Sequence, residues 1–267
     1  MLIAHEAPIS ILEDIRNVTD IQYALVHLFD THPEYYSFFK SSLLLGREVL
    51  LDNSIFELKE AFDSDRYAKY IEELKPTYYI VPDVLEDCVG TINKMMEFTS
   101  KYKKLPGLKI GAVQGKSYDE LVECYKMVSH YADYIAISFD YSWYQHIGLS
   151  TSTDKDIAKL ERMCTGRTKL IEMLQRDNIW RHDKPHHLLG CSLAKEFKAY
   201  KNMPSIRSVD TSNPVVAGIL GQRYIKGLGL QNKSSIMLAS LIDHKVTNEQ
   251  TTDIVYNVYA FRDLCLS

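Results

Sequence analysis

Short apolar runs alternate with amphipathic stretches along the whole chain. The runs cover residues 23–29, 48–52, 77–83, 109–114, 134–139, 186–191 and 206–210, and all are rich in β-branched or aromatic residues. Runs of that length and make-up predict buried parallel strands. Between them, residues 65–74, 88–102, 118–131 and 154–175 carry helical spacing; in the third, Leu121, Val122, Tyr125, Val128 and Ser129 outline one stripe. The repeated strand-helix-strand order implies a parallel sheet. Residues 1–4 or 224–227 would supply an eighth strand, and two helices near 234–243 and 248–264 would close or flank the whole. No GxGxxG loop follows the first strand, which counts against a doubly wound open sheet. The expected fold is an α/β (β/α)8 TIM barrel with C-terminal flanking helices. The 267 residues form one expected domain over 1–267, near the roughly 250 residues typical of that fold.

Where the polar residues fall is more informative. Several runs end in a polar or acidic group: Asp52, Asp83, Gln114, Ser138 with Asp140, and Asp210. Singly, each reads equally well as a helix N-cap. Together, on the rim where barrel active sites are built, they predict a polar pocket with at least two carboxylates. Two carboxylates can divide nucleophile and acid/base work at a glycosidic carbon. A third, with a carboxamide, suits a purine: guanine offers N1–H and its amino group to an aspartate, and O6 and N7 to amide donors. A sugar hydrolase would fit the same residues.

Composition narrows this a little. A net charge of −4 and a pI near 6.1 argue against a protein that coats nucleic acid, though not against a local basic face. Arg66, Lys69 and Lys75, and separately Lys195, Lys198 and Lys201, are candidates for such a face, with solvated helix surface as the plainer reading. The five cysteines (Cys88, Cys124, Cys164, Cys191, Cys265) are scattered and never paired as CxxC, which fits free thiols in a reducing compartment. Neither a secretory signal nor a membrane span is visible, so the expected location is the cytoplasm, that of a host cell if the chain is phage-encoded.

Several segments resemble the tRNA-guanine transglycosylase superfamily. Leu51-Asp52-Asn53-Ser54-Ile55-Phe56-Glu57 resembles its aspartate-plus-aromatic loop, D-S-G-G-F-Q, and Val81-Pro82-Asp83 sits where the family has a base-recognising aspartate. Gly111-Ala112-Val113-Gln114-Gly115 is similar to G-I-V-Q-G, and Tyr134 to Ser138 occupies the position of a base-contacting strand end. His187-Leu188-Leu189-Gly190-Cys191 resembles Y-L-M-G-V, and Val209-Asp210-Thr211-Ser212-Asn213-Pro214 resembles F-D-C-V-x-P. These segments run in the family's order from Asp52 to Pro214.

The resemblance implies Asp210 as nucleophile and Asp52 as general acid/base. It implies a base held by Asp83, Gln114 and Gly115, with backbone at Ile137 and Ser138 helping and Phe56 stacking on it. No metal or redox cofactor is implied. Asn53-Ser54-Ile55 replaces the flexible Ser-Gly-Gly, so a stiffer loop is expected. Ser138 and Phe139 replace a Gly-Gly pair, which changes the expected base preference. The family's zinc site has no counterpart, since Cys265 is the only cysteine after Cys191. A zinc site from His182, His186, His187 and Cys191 is disfavoured by their spacing. This compact form is similar to the transglycosylase-like proteins of phages and bacteria that place 7-deazaguanines in DNA. The expected partners are therefore DNA rather than tRNA, a 7-deazaguanine base such as preQ0, and a partner protein or second copy.

Two other classes stay open on the residues alone: a non-catalytic barrel subunit that binds nucleic acid or a partner, and a barrel N-glycosidase or glycoside hydrolase using water. Aromatic side chains offer stacking surfaces in two places. Tyr35, Tyr36, Phe38 and Phe39 read more simply as helix packing, whereas Tyr141, Trp143 and Tyr144 follow a strand end on the mouth side.

Overall fold

In the computed structural model, which describes residues 1–266, eight strands alternate with helices and close on themselves. The strands are β1 (Leu2–His5), β2 (Ile21–Leu25), β3 (Glu48–Asp52), β4 (Tyr78–Ile80), β5 (Leu108–Val113), β6 (Tyr134–Ser138), β7 (His186–Leu189) and β8 (Ile206–Thr211). Every adjacent pair is parallel, and β8 returns to β1 through Leu2↔Ser208, Ile3↔Val209, Ala4↔Asp210 and His5↔Thr211. The α-helices are α1 (Leu12–Val18), α2 (Pro33–Leu44), α3 (Ile55–Leu58), α4 (Ser64–Leu74), α5 (Cys88–Lys101), α6 (Tyr118–Tyr131), α7 (Tyr144–Ile147), α8 (Lys155–Arg176), α9 (Asn213–Ile219) and α10 (Asn248–Leu266). The fold is the expected parallel (β/α)8 barrel with helices outside.

The N-terminal run supplies the eighth strand. Residues 224–227 instead belong to a tight turn, with one bridge between Ile225 and Gly229 and positive φ at Gly227 and Gly229. Run 23–29 proves half strand and half 3-10 helix, Val26–Asp30, because Val26, Leu28 and Phe29 stay buried after the strand ends. Hydrophobicity alone does not separate the two. The expected helix at 234–243 is only a 3-10 turn at Leu238–Leu241, where few side chains are buried.

Polar caps start the outer helices. Asp63, Asp87, Ser117 and Asp154 accept backbone N–H groups at the first turns of α4, α5, α6 and α8. Tyr67, fully buried on α4, donates its hydroxyl to the carbonyls of Leu51 and Ile80, both at 2.9 Å, tying β3 to β4 where their own pairing ends. The aromatic side chains of α2 pack rather than project: Tyr35, Phe38 and Phe39 are buried in ring contact with one another and Phe29, with Tyr36 half-buried beside them.

The last helix fastens the C-terminal segment to the barrel. A Cβ at Gly218 would meet the Ile254 backbone nitrogen at 2.6 Å, so α9 and α10 touch closely only with glycine there. Asn257 accepts from the Tyr224 N–H at 2.8 Å and donates to the carbonyls of Gln222 and Pro214. Phe261 is fully buried edge-on against His5 and Phe197. Phe261→Ala is therefore expected to destabilise the fold by about 3–5 kcal/mol, read as a fall in the urea midpoint at unchanged slope.

Candidate functional site

A parallel barrel brings all its strand C-termini to one rim, and the acidic strand ends meet there. Asp52 closes β3, Asp83 lies three residues beyond β4, Gln114 follows β5 directly, and Asp210 is the penultimate residue of β8. All four are buried: Asp52 is 7%, Asp83 2%, Gln114 2% and Asp210 4% exposed. None caps a long helix, since those caps are Asp63, Asp87, Ser117 and Asp154.

Asp83 is held by two amides. Asn53 Nδ2 donates to one oxygen at 2.8 Å and Gln114 Nε2 to the other at 2.7 Å. Asn53 also donates to the Val81 carbonyl and accepts from the Ile55 N–H, while Gln114 Oε1 accepts from the Glu86 N–H at 2.9 Å. Both amides are thereby fixed in orientation, and a carboxylate has lone pairs left for a further donor. Burial raises the Asp83 pKa, and the two amide donors oppose that rise.

Asp52 accepts from Tyr23 OH at 2.8 Å and from the Ser54 N–H at 2.5 Å. The Ser54 bond depends on a left-handed backbone at Ser54, φ +59°, a conformation that costs a non-glycine residue about 1–2 kcal/mol. This loop of non-glycine residues thus takes a glycine-like turn, held by bonds to the side chains of Asp52 and Asn53.

On β8, Asp210 faces His187. His187 Nε2 lies 2.9 Å from Asp210 Oδ1, and its Nδ1 lies 2.8 Å from Ser208 Oγ. An ionised Asp210 only accepts, which makes Nε2 the proton-bearing nitrogen and leaves Nδ1 to take the Ser208 hydroxyl proton. The Gly190 N–H adds a forked bond to both Asp210 oxygens, at 3.2 and 3.3 Å.

Three further charged groups share this mouth, none of them conspicuous in the sequence. Glu6 follows β1, Glu57 lies on α3, and Lys233 comes from the segment before α10. Burial first, and then the repulsion of Glu57, push Glu6 and Asp52 well above the usual carboxylate range; burial and Asp210 raise Glu57. Glu57 Oε2 is buried without a hydrogen-bond partner. Lys233 donates to the Cys191 carbonyl at 2.6 Å and sits 4.6 Å over the Phe139 ring. Burial lowers its pKa, opposed by Cys191, Glu6, Asp140 and Asp210. Beside it, a small crevice lies between Ser212, Asn213 and Val216 of the β8–α9 corner and Leu230 and Lys233 of that segment.

The remaining predicted positions divide. Phe56 is 37% exposed on α3 under Lys59 Nζ, at the rim. Gly115 packs on the start of α6, where a Cβ would meet Glu120 at 2.9 Å. The strand end at β6 is engaged within the protein: Arg167 donates to the Ile137 carbonyl, Tyr144 OH to the Ser138 carbonyl, and the Ser138 N–H to Tyr141 OH. The Ser138 hydroxyl donates to Asp140 at 2.7 Å. Of the second aromatic group, Tyr141 and Tyr144 are buried, and Trp143 stacks on Tyr118.

His186 and His187 point opposite ways, as alternation along a strand requires. His186 stacks on Trp180 at 3.7 Å and bonds Tyr125, and burial lowers its pKa to about 3. Among the described residues no group of three or more His, Cys, Asp or Glu side chains is arranged to hold a metal ion. All five cysteines are buried and free. Of the two basic sets, Arg66 pairs with Asp30, Lys69 with Glu73 and Lys195 with Glu161, while Lys198 and Lys201 are exposed. Among the described residues no helix is long and apolar enough to cross a membrane.

No family model matches the chain, and no curated protein matches it in sequence. Among solved structures it is similar to a protein from Coccidioides immitis named as a fructose-1,6-biphosphate aldolase, with a TM-score of 0.48 and 10% identity over 98% of this chain and 90% of that one.

The electrostatics have a consequence for stability. Glu57 has a raised pKa in the fold, so the native state binds more protons than the unfolded chain once pH exceeds the ordinary glutamate value of 4.5. Stability then falls as pH rises from there through the folded-state value. Glu57→Gln removes that loss. It is expected to raise the urea midpoint at pH 7 and leave it nearly unchanged at pH 4, so an equal effect at both would contradict the assignment.

Proposed function

We propose that the chain is a base-exchange transglycosylase that replaces guanine in a nucleic acid, DNA in preference to tRNA, with a 7-deazaguanine such as preQ0. One observation carries the reading: two buried carboxylates share a mouth in contrasting surroundings. Asp210 accepts from His187 and Gly190, which aim it as a nucleophile. Asp52 is pushed by burial toward its protonated form, which suits a general acid. Asp83, with Gln114 bonded to it, supplies the acceptor and donor set that a guanine edge requires.

In this mechanism the target nucleotide leaves its stack, at a cost of a few kcal/mol. Asp210 attacks C1′ as the glycosidic bond to guanine breaks, and Asp52 delivers a proton to the departing base. The sugar is then an ester of Asp210. The incoming base gives its N9 proton to Asp52, N9 bonds to C1′, and the Asp210 carboxylate is released. Protons and bonds balance without a redox partner. The preference for DNA rests on the sequence, which lacks the three closely spaced cysteines of the zinc-bearing tRNA enzymes.

A second reading has its own support. Glu6 and Glu57 add carboxylates beside Asp52, and a further carboxylate could serve water as a base, which would make the enzyme a hydrolase.

The test is incorporation of labelled guanine or preQ0 into duplex DNA and, separately, tRNA by the purified protein. Exchange is expected in DNA. Asp210→Asn is expected to abolish it together with any covalent adduct, and Asp52→Asn to slow it about 10²–10⁴-fold. Full activity in Asp210→Asn would overturn the mechanism. Abasic sites formed without added base would turn the reading to hydrolysis, and no reaction on either polymer would turn it to a binding subunit.

A further inference from the structure

Behind the rim, on the side of β6 and β7, lies a buried ion pair that the proposed chemistry does not use. Arg167 of α8 and Glu196 are both fully buried. Arg167 Nε and Nη2 donate to the two Glu196 oxygens at 2.6 and 3.1 Å. Its other three bonds go to strand-end carbonyls: Nη1 to Ile137 at 3.3 Å and Leu189 at 3.0 Å, and Nη2 to Gly190 at 3.1 Å. A guanidinium has five N–H donors, and here all five are spent. Tyr200 OH also donates to Glu196.

The Leu189 bond matters most. The peptide whose carbonyl Arg167 holds is the Leu189–Gly190 peptide, and the N–H of that same peptide donates to both oxygens of Asp210. One planar unit therefore has a cation on its oxygen and a carboxylate on its hydrogen. A cation at the carbonyl polarises the amide and strengthens donation from the opposite end. Only glycine fits here, since Gly190 has φ +65° and a Cβ on it would strike the Phe139 ring at 2.5 Å, and a glycine peptide is free to turn unless it is held.

We propose that Arg167 is a positioning residue for Asp210, fixing the Leu189–Gly190 peptide so that its N–H aims both carboxylate oxygens. The proposal rests on the reading of Asp210 as nucleophile. Stability alone does not account for the pair, since well-packed apolar side chains often replace a buried ion pair at no loss. What apolar side chains cannot supply is three bonds to the ends of two adjacent strands. Lysine, with three donors on one nitrogen, cannot reach the same set.

The test needs a readout of the peptide itself. Leucine labelled with ¹³C at the carbonyl and glycine labelled with ¹⁵N report only Leu-Gly pairs: Leu45-Gly46, Leu189-Gly190, Leu220-Gly221 and Leu228-Gly229. The signal that moves in Asp210→Asn identifies Gly190. Arg167→Lys is expected to move that signal comparably and leave the other three in place. In the exchange assay it is expected to lower kcat on the order of 100-fold, with KM for the free base within about twofold and partial rescue by added guanidinium. The double variant Arg167→Met, Glu196→Met, which leaves no unpaired buried charge, is expected to behave alike if the single variant folds poorly. A Gly190 signal unmoved in both variants, or kcat unchanged, would overturn the proposal. The amide signal decides it even for a protein with no exchange activity, so failure of the function and failure of this inference are seen separately.

Discussion

Desolvation of like charges at a single rim is the constraint that shapes this barrel. Strand closure delivers Asp52, Asp83 and Asp210 to the same mouth, and Glu6 and Glu57 join them there. A buried carboxylate without donors would be costly, and the three aspartates are each answered differently. Asp83 takes two amides, Asp52 a tyrosine and a backbone N–H, and Asp210 a histidine and a backbone N–H. Glu57 keeps one buried oxygen unmatched. Each donor must itself be held, which is why the amides, the His187 ring and the Ser54 turn carry second bonds of their own.

That demand spreads outward into the scaffold. Tyr67 reaches from α4 to join the ends of β3 and β4, and Arg167 reaches from α8 to join those of β6 and β7. Both are fully buried polar side chains spent on strand-end carbonyls just below the acids. A barrel needs no such ties for closure, because the ladder already pairs the strands. They lie where the ladder ends and the loops begin, and so define the height and tilt of the residues that line the mouth. The strain at Ser54 belongs to the same economy, a local backbone cost accepted where it places an N–H on Asp52.

The fold was legible because buried parallel strands leave continuous apolar runs, and seven of those runs contain a strand. Legibility failed where apolarity has another cause: Val26, Leu28 and Phe29 are buried beneath a 3-10 turn, and residues 224–229 curl back instead of joining the sheet. At the rim, Asp52, Asp83, Gln114 and Asp210 could be read because each ends a run. Glu6 follows a strand whose place was open between two segments, and Glu57 is brought to the mouth by a single turn of helix. His187 was half visible: alternation sends one of two adjacent histidines inward, and sequence does not say which. Lys233 arrives from a segment with no regular structure, and for such residues periodicity offers no signal.

The charge at this mouth also bears on any polyanionic substrate. Counted formally, Glu6, Asp52, Glu57, Asp83 and Asp210 would set five negative charges against Lys233, in a protein already at −4. Such a field would repel a phosphate backbone. Burial raises the pKa values of Glu6, Asp52, Glu57 and Asp83, a shift in the direction that lowers this charge. A mouth more open to water would favour the ionised forms, strengthening the repulsion and, on the proposed mechanism, weakening Asp52 as an acid. On the proposed mechanism, burial at the rim bears both on the approach of a nucleic acid and on the division of labour between Asp52 and Asp210, so the two requirements stand or fall together.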